Sequence, residues 1–203
     1  GLDWYLLDAR TDNEVPVVLA MLIADEVPTV TVAAAAHPNP ESAVRDALEE
    51  AIQIRLYQRH LIKQGNSPII FDDVNREEII TDKRLLGWAR KGAPEDIDFW
   101  IDSTHRISIS KIWEETKSVR ARPIIDEITK TSDAYIADLT TRDIEEAGFS
   151  VVRVVAPEAH PLYLREGTRY WEETRLASVP KKSGYNPKAP EKAPLNDIPH
   201  PFA

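Results

Sequence analysis

The chain has 203 residues, 42% of them hydrophobic, enough to bury one substantial core in one large domain or two small ones. A net charge of −9 argues against a generic nucleic-acid or anionic-membrane partner, since no basic patch offsets it. With no cysteine, disulfides, thiolate catalysis and cysteine-held metals are excluded. The longest apolar run, 27–36, is broken by Pro28 and is too short to span a bilayer, so the expected setting is cytoplasmic with no membrane partner.

The first residues, Gly1-Leu2-Asp3-Trp4-Tyr5-Leu6-Leu7-Asp8, are already strand-like, with no initiator methionine and no signal-peptide pattern. The chain therefore reads as part of something longer. Trp4 to Leu7, Val15 to Ile23 and Thr29 to Ala35 have the β-branched content and flanking breaks of strands, the last two nearly continuous apolar runs. From Asn39 the pattern becomes helical: Asn39 caps, Pro40 suits the first turn, and Glu41 complements the positive end of the dipole. The helix is expected to run to about Ile62, before Gly65-Asn66-Ser67-Pro68. Residues 69–105 read as short helices and loops anchored by Trp88 and Trp100. Ile107 to Ile112 suits a strand or the start of a helix, and 122–131 a short helix. A clear unit follows: strand 134–139, helix 141–147 stopped by Gly148, strand 149–155. From Val179 onward, prolines and lysines predict an irregular tail. None of the seven glycines falls in a GxGxxG or GxxxxGK[ST] arrangement, which argues against Rossmann and P-loop nucleotide sites.

Chemistry gathers on the helix at 39–62. At about 100° per residue, Val44, Ala47, Leu48 and Ala51 share one side, while Asp46, Glu50, Gln53 and Tyr57 fall within about 60° of one another on another. Two carboxylates and an amide projecting together suit a hard cation such as Mg²⁺, and they also suit the ordinary solvated face of an amphipathic helix. Arg55 falls among the apolar positions and is expected to make a partly buried ion pair or packing contact.

The run Ala43-Val44-Arg45-Asp46-Ala47-Leu48-Glu49-Glu50-Ala51-Ile52-Gln53-Ile54-Arg55 resembles the central helix motif of the YcaO family. Three further blocks agree in order. Thr29 to Pro40 resembles the strand and turn leading into that helix. Ala137 to Thr141 with Asp143, Ile144 and Gly148, then Val151 to Pro157, resembles the late strand-helix-strand, followed by His160-Pro161-Leu162 and Arg175-Leu176. Leu195-Asn196 with Pro199-His200-Pro201-Phe202 resembles the proline-rich C terminus. The implied fold is α/β, a mixed sheet with flanking helices, forming the C-terminal half of a YcaO-type domain (1–178) with a tail (179–203) returning to the active site.

The resemblance implies an ATP-dependent cyclodehydratase that turns Cys, Ser or Thr residues of a ribosomally made precursor peptide into thiazolines or oxazolines through backbone amide phosphorylation. ATP and Mg²⁺ are the implied cofactors. Glu50 would bind the metal, with Asp46 and Gln53 lining the nucleotide site and Arg153 and Arg175 contacting phosphate; Asp46 stands where many relatives carry asparagine. Pro199, Pro201 and the Ala203 carboxylate would help deprotonate the substrate amide. The family's N-terminal Ser/Glu/Arg helical motif has no match here, so the N-terminal half of the domain is an expected partner, as a separate chain or cleaved piece. The precursor peptide, a leader-binding ThiF-like protein and an oligomeric assembly complete the expected partners. The chain ends Pro199-His200-Pro201-Phe202-Ala203 where azoline-forming members commonly end Pro-x-Pro-x-Pro. Thioamidation, amidine formation and a non-catalytic scaffold are the alternatives.

Overall fold

The computed structural model describes residues 1–120, 123–130, 132–159, 162–169, 173–183 and 196–202. Three strands, β1 (Leu2–Asp8), β2 (Val17–Ala24) and β3 (Val30–Ala36), form an antiparallel meander in the order β1-β2-β3. Register pairs Ala20 with Ala33 and Leu6, so even-numbered β2 residues share a face with odd-numbered β3 residues. On that face lies α1 (Pro40–Lys63), which follows β3 directly. Asn39 starts it as expected: its Oδ1 accepts from the Glu41 amide at 2.9 Å and the Ser42 amide at 3.4 Å, with Pro40 in the first turn.

The buried stripe of α1 is Ala43, Ala47, Ala51, Ile54, Gln58 and Leu61, while Val44 and Leu48 sit at its margin. Alanine against Ala20 and Ala33 lets the helix lie close to the sheet. Enlarging Ala47 would overpack this layer, at about 1–3 kcal/mol.

The opposite face of the sheet is covered by the segment that follows. Met21, Val30 and Val32 pack with Trp88, Ala93 and Ile97, and with Tyr5, Leu7, Phe71 and Trp100 around them. Trp88 ends α2 (Thr81–Trp88), whose Leu85 belongs instead to the α1 layer, so this helix stands at the sheet margin and joins both cores. At Gly87 even a Cβ would lie 2.1 Å from the Phe71 ring, so the close approach of Phe71 to α2 requires glycine.

Beyond α3 (Asp98–Ile101), Ser108 accepts from the Lys111 amide at 3.2 Å and makes 109–115 the helix α4 (Ile109–Glu115), deciding the strand-or-helix alternative. The helices α5 (Lys117–Arg120) and α6 (Ile124–Ile128) follow. The strand-helix-strand unit is present as β4 (Tyr135–Asp138), α7 (Arg142–Glu146) and β5 (Val152–Val155), with β4 and β5 paired antiparallel and Gly148 at φ 80 ending α7. The α/β architecture with flanking helices stands, and all three described strand pairings are antiparallel. One expectation needs correction: α8 (Glu173–Lys182) continues past Val179 with Pro180 inside it, so residues 179–182 are helical rather than irregular.

No helix among the described residues is long and apolar enough to cross a membrane.

Candidate functional site

Asp46, Glu50, Gln53 and Tyr57 project from α1 at intervals of four, three and four residues, and the rise of a helix spreads them over about 16 Å. Asp46 is half-buried and pairs with Arg45 at 3.0 Å; Glu50 and Gln53 are exposed. Tyr57 closes the stripe, its hydroxyl donating to Asp82 of α2 at 3.0 Å, which raises the phenol above its ordinary range. Arg55 makes a packing contact, its Nη1 donating to the Pro28 carbonyl at 2.7 Å. Burial, and then the neighbouring Arg59 charge, lowers its pKa from the usual arginine value.

The donor chemistry matches Mg²⁺ presented with a nucleotide. That ion uses one or two carboxylates and completes its shell with water and phosphate oxygens. Glu50, with Asp46 one turn before it, offers that number, and no group of three or more His, Asp or Glu side chains among the described residues could hold a metal alone.

The other expected site residues lie elsewhere. Arg153 is exposed on β5, in the second sheet opposite Ala137. Arg175, on α8, donates to Asp12 at 2.7 Å, and the Asp12 side chain is almost wholly buried. Pro199 and Pro201 are buried in the C-terminal segment, while Ala203, Leu195 and His160-Pro161 lie outside the described residues. Residues 198–202 are docked: Ile198 and Phe202 join the cluster around Met21, Val32 and Trp88, on the sheet face away from α1. Among the described residues no hydrogen bond or ion pair joins this segment to Asp46, Glu50 or Gln53; α2 meets the segment and also Tyr57, at the end of that stripe.

The residues gripping that segment escape a motif reading. Trp88 Nε1 donates to the Pro199 carbonyl at 3.0 Å, and Arg84 Nη1 to the Phe202 carbonyl at 3.4 Å. Arg84 is fully buried beside an equally buried Glu166 at 3.5 Å, and Glu166 is also held by Arg169 at 2.6 Å. Desolvation pushes the Arg84 pKa down, with the Glu166 charge opposing. His200 donates from Nε2 to the Tyr163 carbonyl at 2.7 Å and accepts at Nδ1 from the Phe202 amide at 3.3 Å, the pattern of a neutral imidazole. Burial likewise depresses its pKa. A cleft of about 200 Å³ between Phe71, Arg76, Arg90, Ile198 and Pro199 flanks the docked segment.

Gln58 was also missed. It stands on the apolar stripe of α1, takes a 2.6 Å hydrogen bond from Thr31 and donates to the carbonyls of Val30 and Leu85. The signal for it was present: 47, 51, 54, 58, 61 is one helical face, and a glutamine there must find partners indoors.

A long helix bearing a carboxylate stripe lies on one face of a three-stranded antiparallel sheet and residues 198–202 pack on the other, an α/β arrangement. The match to known proteins is specific. Residues 1–160 match the family model described as YcaO cyclodehydratase, binding ATP and Mg²⁺. The chain belongs to the YcaO family, whose cofactors are ATP and Mg²⁺. Among solved structures it resembles a heterocyclase in complex with substrate and cofactor, with a TM-score of 0.58 and 20% identity over 97% of this chain and 25% of that one. It is also similar to the heterocyclase TruD, at a TM-score of 0.47 and 20% identity, covering 96% of this chain and 25% of that one. The chain thus spans about a quarter of the length of these structures. No curated protein matches it.

Proposed function

We propose that this chain supplies one side of the nucleotide site of an ATP-dependent peptide cyclodehydratase. The observation that carries the reading is the Asp46-Glu50-Gln53 stripe, held rigidly on α1 in a chain of the YcaO family. Glu50 would hold Mg²⁺, with Asp46 and Gln53 orienting the nucleotide. Bound Mg²⁺ supplies neutralisation of phosphate charge, the main requirement of phosphoryl transfer. Arg153 would add a phosphate contact, whereas Arg175 would first have to leave Asp12.

In the reaction, the thiol or hydroxyl of a Cys, Ser or Thr residue adds to the carbonyl carbon of the preceding residue. The attacking thiol or hydroxyl gives up its proton, the carbonyl oxygen accepts a phosphoryl group from ATP, leaving ADP, and departs as phosphate, the amide nitrogen loses its proton, and a C=N bond closes the azoline with net loss of one water from the peptide. Pro199, Pro201 and the Ala203 carboxylate would serve the proton loss.

The rest of the YcaO domain would face the stripe from another segment or chain, and a precursor peptide with a leader-binding ThiF-like protein would complete the assembly. Exposed apolar strand faces support further protein contacts: Trp4 and Leu6 on β1, and Ile136 and Val154 on the second sheet, are about half exposed or more.

The test is calorimetric titration of the intact protein with Mg²⁺ and ATP, followed by mass spectrometry of a Cys/Ser/Thr-containing precursor peptide. Loss of water identifies cyclisation. Exchange of oxygen for sulfur or nitrogen would replace it with thioamidation or amidine formation. Absence of ATP binding, or full activity in Glu50→Ala, would leave a scaffold.

A further inference from the structure

We propose that Arg84 and Trp88 of α2 are positioning residues that grip residues 197–202 by their backbone, and so fix the register in which this segment lies on the sheet. The catalytic consequence rests on the function proposed above; the grip itself does not.

Prolines at 199 and 201 contribute no N–H and have a restricted φ, so carbonyls are the chief backbone handles of this segment. Those carbonyls are taken by side chains at intervals. Asp197 O receives Arg76 Nη2 at 2.9 Å and Arg169 Nη2 at 3.0 Å, Pro199 O receives Trp88 Nε1, and Phe202 O receives Arg84 Nη1. Backbone recognition at three points along six residues defines register, which the apolar contacts of Ile198 and Phe202 alone would not.

Arg84 is the least economical residue in this layer if stability were its purpose. Its side chain is wholly buried, its Nε has no hydrogen bond, and an apolar pair in place of Arg84 and Glu166 would hold the core as well. What a guanidinium adds is a donor directed at the Phe202 carbonyl. The same helix carries Asp82, which holds Tyr57 at the far end of the α1 stripe, so two turns of α2 meet both the proposed nucleotide face and the tail.

The test is C-terminal trimming of the intact protein by a carboxypeptidase, followed by mass spectrometry. Trp88→Phe keeps the aromatic ring and deletes the donor; Arg84→Lys keeps the charge and loses the reach. Trp100→Phe, in the same apolar cluster but with no hydrogen bond to residues 197–202, is the control. Removal of Ala203 and Phe202 is expected to be at least tenfold faster in Trp88→Phe than in the parent protein or in Trp100→Phe, because trimming follows the population of the detached segment. In the cyclisation assay the same variant should lower kcat while leaving the KM for ATP unchanged. Should Arg84→Lys fail to fold, Trp88→Phe decides. Equal trimming rates in Trp88→Phe and the parent, or equal acceleration by Trp100→Phe, would overturn the proposal. A protein that never cyclises a peptide would refute the enzymatic reading while leaving the trimming ratio intact.

Discussion

Two glutamines five residues apart on α1 make opposite demands, and replacing each by leucine separates the helix's structural work from its proposed chemistry. Gln58 is buried: its amide donates to Val30 O and Leu85 O, both at 3.0 Å, and its carbonyl accepts from Thr31 at 2.6 Å. Leu85 O keeps its helical bond to the Ala89 amide at 3.0 Å when Gln58 is lost. The carbonyl of Val30, on the outer strand β3, and the hydroxyl of Thr31 lose the partners described here, in a place where water does not reach. At about 1–3 kcal/mol for each stranded group, less roughly 1 kcal/mol regained by the apolar side chain, Gln58→Leu should destabilise the fold by about 3 kcal/mol. Against a total of about 5–15 kcal/mol this is easily measured. Gln53 is exposed, so Gln53→Leu should stay within about 0.5 kcal/mol of the parent while weakening ATP binding. Urea unfolding of both variants, with the slope checked for constancy, gives the comparison. A loss below about 1 kcal/mol for Gln58→Leu, or equal losses for the two, would refute this reasoning.

Glu50→Gln keeps size and exposure but removes the charge, and should lower Mg²⁺-dependent ATP affinity at least tenfold in calorimetry with an unchanged unfolding midpoint. Asn39→Ala removes the acceptor of two amides at the start of α1 and should cost about 1 kcal/mol by the same unfolding assay. The His200 pKa is lowered by burial and by the Arg84 and Arg169 charges, against the Tyr163 carbonyl and Glu166, so below its ordinary value of 6.5 the unfolded chain binds the proton first. Stability contributed by neutral His200 is therefore full above that pH and is lost as pH falls toward the folded value; unfolding measured across this window should lose that slope in His200→Asn.

What could be read from the residues was local. Asn39 and Pro40 announce α1, Gly148 ends α7, and β-branched content between flanking breaks marks the strands, since each signal lies within a few residues of the structure it makes. The long stripe of Asp46, Glu50 and Gln53 was legible for the same reason. What was not legible depends on distant partners. Arg84 reads as a surface cation beside Asp82 and Lys83 until Glu166 and Phe202, 82 and 118 residues away, fold onto it. Gln58 reads as an error in an apolar face until the Val30 carbonyl is in place. Residues 107–110 alternate isoleucine with serine, a strand pattern, yet the side-chain cap at Ser108 supplies the first turn of a helix. Pro180 misled in the other direction: it withdraws one donor from α8, a cost that the rest of the helix absorbs.

The tail and the carboxylate stripe lie on opposite faces of a sheet, and α2 is the element that touches both the tail and Tyr57 at the end of the stripe. Its residues alternate allegiance: Asp82 meets Tyr57, Leu85 packs in the α1 layer, and Arg84 and Trp88 meet the tail. A short helix wedged between two packed layers moves as a unit, because close-packed interiors transmit displacement rather than absorb it. Detaching the tail removes two hydrogen bonds and the Phe202 contacts from one side of α2, while Gln58 and Tyr57 still hold the other. The bonds from Tyr57 to Asp82 and from Gln58 to Leu85 O remain on the α1 side, and Tyr57 ends the proposed nucleotide face. Contact of this kind requires no path through the sheet, and it makes Asp82 the residue whose loss should leave tail docking unchanged while releasing Tyr57 from α2.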